Sequence, residues 1–167
     1  MSGRFKTEPG KIEPDKTELD EAELDALARR LAGGLGDGGV IHLQGDLGAG
    51  KTTFARALLG ALGVGARIKS PTYSLIESYE VDDLSIHHLD LYRIAAADEL
   101  EFLGLSDLAA GRFLLLVEWP ERGGNALPAP DLIVHLAHAG PRRRLQLDPR
   151  TARGARWLGI LSGRELA

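Results

Sequence analysis

The sequence predicts one α/β domain: a mainly parallel central sheet with added antiparallel strands, and helices on both faces. Three observations predict it. Apolar segments of strand length alternate with stretches whose apolar residues recur at helical spacing. Residues 113–117, Phe-Leu-Leu-Leu-Val, form a continuous apolar run of the kind buried in a parallel sheet. Two pairs of strand-like segments flank short turn-forming sequences, as antiparallel hairpins do. The length, 167 residues, suits a single domain.

Each element has its own reason. Residues 1–16 carry Pro, Gly, Lys and Glu with almost no apolar content. They are expected to form a disordered tail, and they lack the apolar stretch of a signal peptide. The domain is placed at residues 17–167. Thr17 is a candidate cap for a first helix, with acidic residues in the turn after it. Leu24, Leu27, Ala28, Leu31 and Leu35 give that helix an apolar face, and the glycines of residues 33–39 end it. Val40, Ile41 and Leu43 begin a short buried strand. A second helix starts near Lys51, buries Phe54, Ala55, Leu58, Leu59 and Leu62, and stops at Gly63.

Residues 74–80 and 85–91 are strand-like around a tight turn at 81–84. Residues 98–110 have helical character and end at Gly111. The run 113–117 then forms a strand leading to Glu118-Trp119-Pro120, and 123–130 is a loop. Residues 131–137 and 142–147 read as two further strands around a turn at 138–141. Residues 151–161 form a terminal helix with Trp157, Leu158 and Leu161 inward.

Composition narrows the function. Hydrophobic residues make up 44% and charged residues 26%, enough for a real core in a soluble chain. Cysteine is absent, which excludes disulfides, thiolate-bound zinc and cysteine nucleophiles and fits a cytoplasmic setting. No apolar run approaches the ~20 residues that span a bilayer, so no membrane role is expected. The net charge of −4 argues against a chain that coats nucleic acid.

The chemistry concentrates between the first strand and the second helix. Gly45-Asp46-Leu47-Gly48-Ala49-Gly50-Lys51-Thr52 matches G-x-x-x-x-G-K-[ST] at every fixed position. Glycine lets successive backbone N–H groups turn inward onto phosphates. The helix that begins at Lys51 adds the positive end of its dipole. Lys51 is placed to reach the β- and γ-phosphates, and the Thr52 hydroxyl to coordinate Mg²⁺. A strand before the motif and a helix after it complete the P-loop context. The expected fold is therefore that of a P-loop NTPase, with a nucleoside triphosphate and Mg²⁺ as its ligands. Thr53 either contacts the α-phosphate or simply continues the helix.

A P-loop protein needs carboxylates near the metal. Asp90 and Glu118 both lie where an apolar strand ends, which is where open α/β sheets place ligands. Asp90 can hold Mg²⁺ directly or through water. Glu118 can complete the metal shell or orient the attacking water. Either can instead be an edge-strand carboxylate in solvent. Trp119 is one of two tryptophans, and serves either to pack over the nucleotide base or to anchor the core.

Taken together, these residues resemble the TsaE (YjeE) family of bacterial P-loop ATPases. The carriers are the P-loop with Thr53, Lys69-Ser70-Pro71-Thr72-Tyr73, His88-Leu89-Asp90-Leu91-Tyr92-Arg93, Glu99-Leu100-Glu101-Phe102-Leu103-Gly104 and Glu118-Trp119-Pro120. They stand in family order over residues 19–147. The resemblance implies an ATPase, weak alone, that supports formation of N6-threonylcarbamoyladenosine in tRNA. It implies TsaD and TsaB as protein partners, with tRNA engaged indirectly through them. It also implies a metal-side or catalytic role for Glu118 and an acidic family position at Asp90. Ser70 and Thr72 fall in a loop resembling a nucleotide-sensing switch, and Glu21 at a nucleotide-contacting acidic position. Leu89 stands where an aromatic residue is common in the family.

Other features invite plainer readings. Arg142-Arg143-Arg144, with Arg150, Arg153 and Arg156, is the main basic cluster; a solvated strand edge and helix face is expected over a tRNA or acidic-partner contact. His42, His87 and His88 are expected to be strand histidines satisfied locally. Tyr73, Tyr79 and Tyr92 are too scattered to form a base-stacking platform. Two other functions compete. One is a P-loop small-molecule kinase with Arg93 or Arg122 in a lid. The other is a GTPase-type switch, although the chain lacks an N-K-x-D guanine-reading segment.

Overall fold

In the computed structural model, which describes residues 17–69, 71 and 74–162, the chain runs in alternating order. The elements are β1 (Thr17–Leu19), α1 (Glu21–Ala32), β2 (Gly39–Gln44), α2 (Lys51–Ala61), β3 (Ile76–Val81) and β4 (Leu84–Asp90). They continue with α3 (Leu105–Leu108), β5 (Phe113–Glu118), β6 (Leu132–Ala139), β7 (Arg142–Pro149) and α4 (Ala152–Leu161). The strands make one sheet in the order β1-β7-β6-β2-β5-β4-β3. Its centre is parallel: β2 lies between β6 and β5, and β5 also pairs with β4. Its flanks are antiparallel, with β3 on β4 at one edge and β7 and β1 at the other.

Alternation along the central strands divides the core. Ile41, Leu43, Leu114, Leu116, Val134 and Leu136 face α1, α2 and α4, and meet Leu27, Leu31, Phe54, Leu58 and Trp157. Val40, Leu89, Leu115 and Val117 lie on the other side with Leu91, Ile94, Leu100 and Leu127. Each such side chain contributes about 1.5–3 kcal/mol when fully buried. Helices thus cover both faces, but unequally. Three long helices pack on one side; 3-10 turns at Ala97–Leu103 and Gly124–Ala126 and the single turn of α3 cover the other.

Two expected elements differ. The first helix is capped by Asp20, which exchanges hydrogen bonds with Glu23 in a capping box. Thr17–Leu19 is instead an edge strand, and Leu19 is buried in the core. Three residues are too few to show periodicity. The helix expected over 98–110 is broken, because Gly104 takes φ 64° between the 3-10 turn and α3. Leu100 is the one buried residue of that 3-10 turn, so no continuous apolar stripe holds a longer helix there.

The hairpins are tighter than expected. The β3–β4 turn is Asp82-Asp83, with Asp82 in the left-handed region at φ 52°. The β6–β7 turn is Gly140-Pro141. α2 ends before Gly63 as expected, with φ 101° at that glycine. α4 is capped by Thr151, whose hydroxyl oxygen accepts from the Gly154 N–H at 3.2 Å. The tail expected at 1–16 and the switch-like Ser70 and Thr72 lie outside the described residues.

Candidate nucleotide-binding site

β2 is central and buried, so its carboxyl end delivers the P-loop to a fixed point above the sheet. Gly45 must be glycine: a Cβ there would sit 2.3 Å from the Leu136 carbonyl oxygen on β6. Gly50 caps α2 at φ 106°, a conformation side chains resist. No side chain caps the start of α2, and no acidic residue stands in its first turn. The helix's leading amides and positive dipole end therefore face the loop's concavity without competition from a carboxylate of the same turn.

Lys51 is 5% exposed. Its ammonium donates to the carbonyl oxygens of Gly45 and, at 3.1 Å, Asp46. It also lies 3.9 Å from the centroid of the Trp119 ring. Burial pulls the Lys51 ammonium below the ordinary lysine range, while the charges of Glu118, Glu121, Asp90 and Asp46 oppose that shift. An incoming triphosphate would restore a full counter-charge to a partly desolvated cation.

The two acidic candidates stand side by side. Asp90 and Glu118 are register partners at the ends of β4 and β5. Glu118 is 2% exposed, and both its oxygens are engaged. Oε1 accepts from the Thr52 hydroxyl at 2.7 Å, and Oε2 lies 2.6 Å from His88 Nε2. Asp90 accepts from the Tyr92 N–H at 3.0 Å. Burial pushes the Asp90 carboxyl up from its ordinary value; the Tyr92 N–H bond works against this and the Glu118 charge adds to it. Two neighbouring carboxylates and a hydroxyl suit a divalent cation. Mg²⁺ is the ion such a donor set could hold, because it keeps waters and takes phosphate oxygens beside one or two carboxylates.

These groups line a cleft of about 370 Å³, with Lys51, Thr52, Thr53, Asp90, Glu118 and Trp119 all on its wall. Gly48, Gly50 and the exposed Leu47 contribute the loop side. Ala49 is buried beneath the loop, and Asp46 is exposed at its shoulder. Glu21 is exposed in the first turn of α1 and does not line the cleft. Trp119 takes φ 58° and sits half-buried between the cleft and the second core cluster. Its ring lies 5.1 Å from that of Tyr92, with the Arg122 guanidinium 5.5 Å from its centroid.

The β6–β7 hairpin touches the crown of the loop. His138 Nε2 lies 3.2 Å from the Leu47 carbonyl oxygen, and Arg143 donates to that of Gly48 at 3.5 Å. The neighbouring arginines pair with local acids: Arg142 with Glu23 at 2.9 Å and Arg144 with Glu18 at 3.4 Å. Arg142–Arg144 thus lie on β7, between β1 and β6, and are engaged with the start of the domain.

Sequence reasoning missed two residues here. His88 was expected to be satisfied locally in its strand, yet it holds Glu118. Tyr92, read only as one of three tyrosines too scattered for a base-stacking platform, lines the cleft. The available signal was spacing: His88 stands two residues before Asp90 and so shares its face of β4.

Comparison with known proteins identifies relatives of this chain. The family model described as "Threonylcarbamoyl adenosine biosynthesis protein TsaE" matches residues 19–145. The tRNA threonylcarbamoyladenosine biosynthesis protein TsaE of Haemophilus influenzae is 39% identical over 123 residues, 74% of this chain and 78% of that protein. The TsaE protein of Aquifex aeolicus is 45% identical over 98 residues, 58% of this chain and 68% of that protein. The crystal structure of Bacillus subtilis YdiB superposes with a TM-score of 0.72 at 30% identity, covering 89% of this chain and 93% of that one. The chain therefore belongs to the TsaE family of tRNA threonylcarbamoyladenosine biosynthesis proteins.

Proposed function

We propose that this chain binds ATP with Mg²⁺ in the P-loop cleft, hydrolyses it slowly alone, and serves tRNA N6-threonylcarbamoyladenosine synthesis by acting on a TsaD–TsaB assembly. The observation that carries the ATPase reading is the contact between Thr52 and Glu118 at 2.7 Å. It joins the P-loop hydroxyl to a buried carboxylate on the adjacent strand, the pairing that a phosphoryl-transfer site uses for its metal. Family membership supports the pathway, and the named partners follow from the resemblance.

Each residue then has a task. The loop amides and Lys51 bind the phosphates; Lys51 exchanges its carbonyl partners for phosphate oxygens. Thr52, Glu118 and Asp90 would hold Mg²⁺. Magnesium, when bound, supplies positive charge that offsets the charge developing on the phosphoryl oxygens. Glu118 also orients a water for attack on the γ-phosphorus. Trp119 covers Lys51 and limits the access of solvent to it.

The test is reconstitution of tRNA modification with TsaD, TsaB and a threonylcarbamoyl-AMP supply, with and without this chain. Multiple turnovers that require the chain and release free phosphate are expected. Modification at the same rate without it, or transfer of the phosphate to a metabolite, overturns the reading.

A further inference from the structure

Glu118 is held from two sides, and the second of them has no role in the reading above. His88 is 0% exposed on β4, on the same face as the core residues Leu84 and Ile86. Its Nε2 lies 2.6 Å from Glu118 Oε2, while its Nδ1 is buried with no hydrogen-bond partner among the described residues. A histidine present only to fill the core would be better served by an apolar residue of similar size, since an unpartnered ring nitrogen weakens the fold. Among the described residues, its polar contact is to the carboxylate that also receives Thr52.

We infer that His88 is the positioning residue of the site, fixing Glu118 Oε2 so that Oε1 stays on Thr52. A carboxylate at the end of a strand turns about its own side-chain torsions unless both oxygens are engaged. Here Nε2–H donates to one oxygen and the Thr52 hydroxyl to the other, so one orientation is selected before any ligand arrives. Groups that orient metal-side carboxylates affect affinity and rate although they touch neither metal nor substrate. The inference rests on the Mg²⁺–ATP reading of the cleft and names the residue that prepares it.

The full chain is tested as wild type and as His88→Leu, His88→Gln and His88→Asn. ATP affinity is measured in EDTA and then across a Mg²⁺ titration, with hydrolysis read in parallel. His88→Leu is expected to raise the Mg²⁺ concentration for half-maximal ATP binding by about 10–100-fold and to lower kcat. Its affinity for ATP in EDTA is expected to match wild type. His88→Gln restores the Mg²⁺ requirement, because the Gln amide N–H reaches the place of Nε2–H. His88→Asn does not, because its shorter side chain reaches only as far as Nδ1.

A His88→Leu protein with the wild-type Mg²⁺ requirement overturns the inference. So does one that loses ATP binding equally with and without Mg²⁺, which marks a structural role. Where His88→Leu fails to fold, equal behaviour of the Gln and Asn variants overturns it. Failure of the wild type to show any Mg²⁺ dependence sinks the underlying reading instead.

Discussion

Replacing Glu118 separates its structural contribution from its chemical one. In Glu118→Ala, the fully buried His88 loses its partner, and the Thr52 hydroxyl must turn elsewhere. A buried donor left unpaired costs about 1–3 kcal/mol. Taking ~2 kcal/mol, and about 2–4 °C per kcal/mol for a chain of this size, the melting temperature should fall by about 4–8 °C. Glu118→Gln is different. Its amide oxygen accepts from His88, and its amide N–H donates to the Thr52 oxygen, so both contacts survive. That variant should melt within about 2 °C of wild type, a change below about 1 kcal/mol by the same conversion. Both variants lose the carboxylate proposed to orient water, so hydrolysis should drop by about 100-fold or more in each. ATP affinity in EDTA should persist, because Lys51 and the loop amides do not depend on Glu118. Scanning calorimetry and phosphate release read the two effects. Equal melting of Ala and Gln variants would refute the buried contact triangle, and retained hydrolysis in either would refute the role of the carboxylate.

The remaining predictions concern the neighbours and pH. Thr52→Ala should abolish the Mg²⁺ enhancement of ATP binding while sparing Mg²⁺-free binding; loss of both in calorimetry would point to a folding defect instead. Asp90 is raised in the folded state by burial first, so folding loses stability as pH climbs from the unfolded value near 3.8 through the folded one. Above that window the ionised carboxylate strains the metal-free protein, and Asp90→Asn should melt higher than wild type at pH 7 in EDTA; a lower melting temperature contradicts this. His42 and His87 are depressed below 6.5 by burial, so the unfolded chain takes up their protons first as pH falls. Their contribution is intact above pH 6.5 and is lost as pH drops through the folded values. Denaturant midpoints should therefore fall between pH 8 and pH 5.5, less so in His42→Gln, and equal losses in the two proteins would reject the assignment.

The parallel centre of the sheet was legible because its signals are local and strong. The P-loop has fixed spacing, and the run at 113–117 is apolar on both faces. Asp90 and Glu118 could be named from strand ends, but their adjacency depends on the pairing of β4 with β5, which no single segment encodes. β1 was hidden because its pairing with β7 joins residues more than 120 positions apart. The break at Gly104 was hidden because residues on either side favour helix by composition, while too few of them are buried. His88 reads as a core histidine until Glu118 is placed within reach on the neighbouring strand. Distant pairing and the partners of buried polar groups are set by tertiary structure, and there the local pattern falls silent.

Calorimetric titration of ATP into the wild-type chain and into Lys51→Ala, each with Mg²⁺ and with EDTA, tests the central claim most directly. Saturable binding by wild type, tightened by Mg²⁺ and lost or severely weakened in Lys51→Ala, is the predicted result. Equal binding by the two proteins, or none by the wild type, would contradict the assignment of the P-loop cleft as an ATP site.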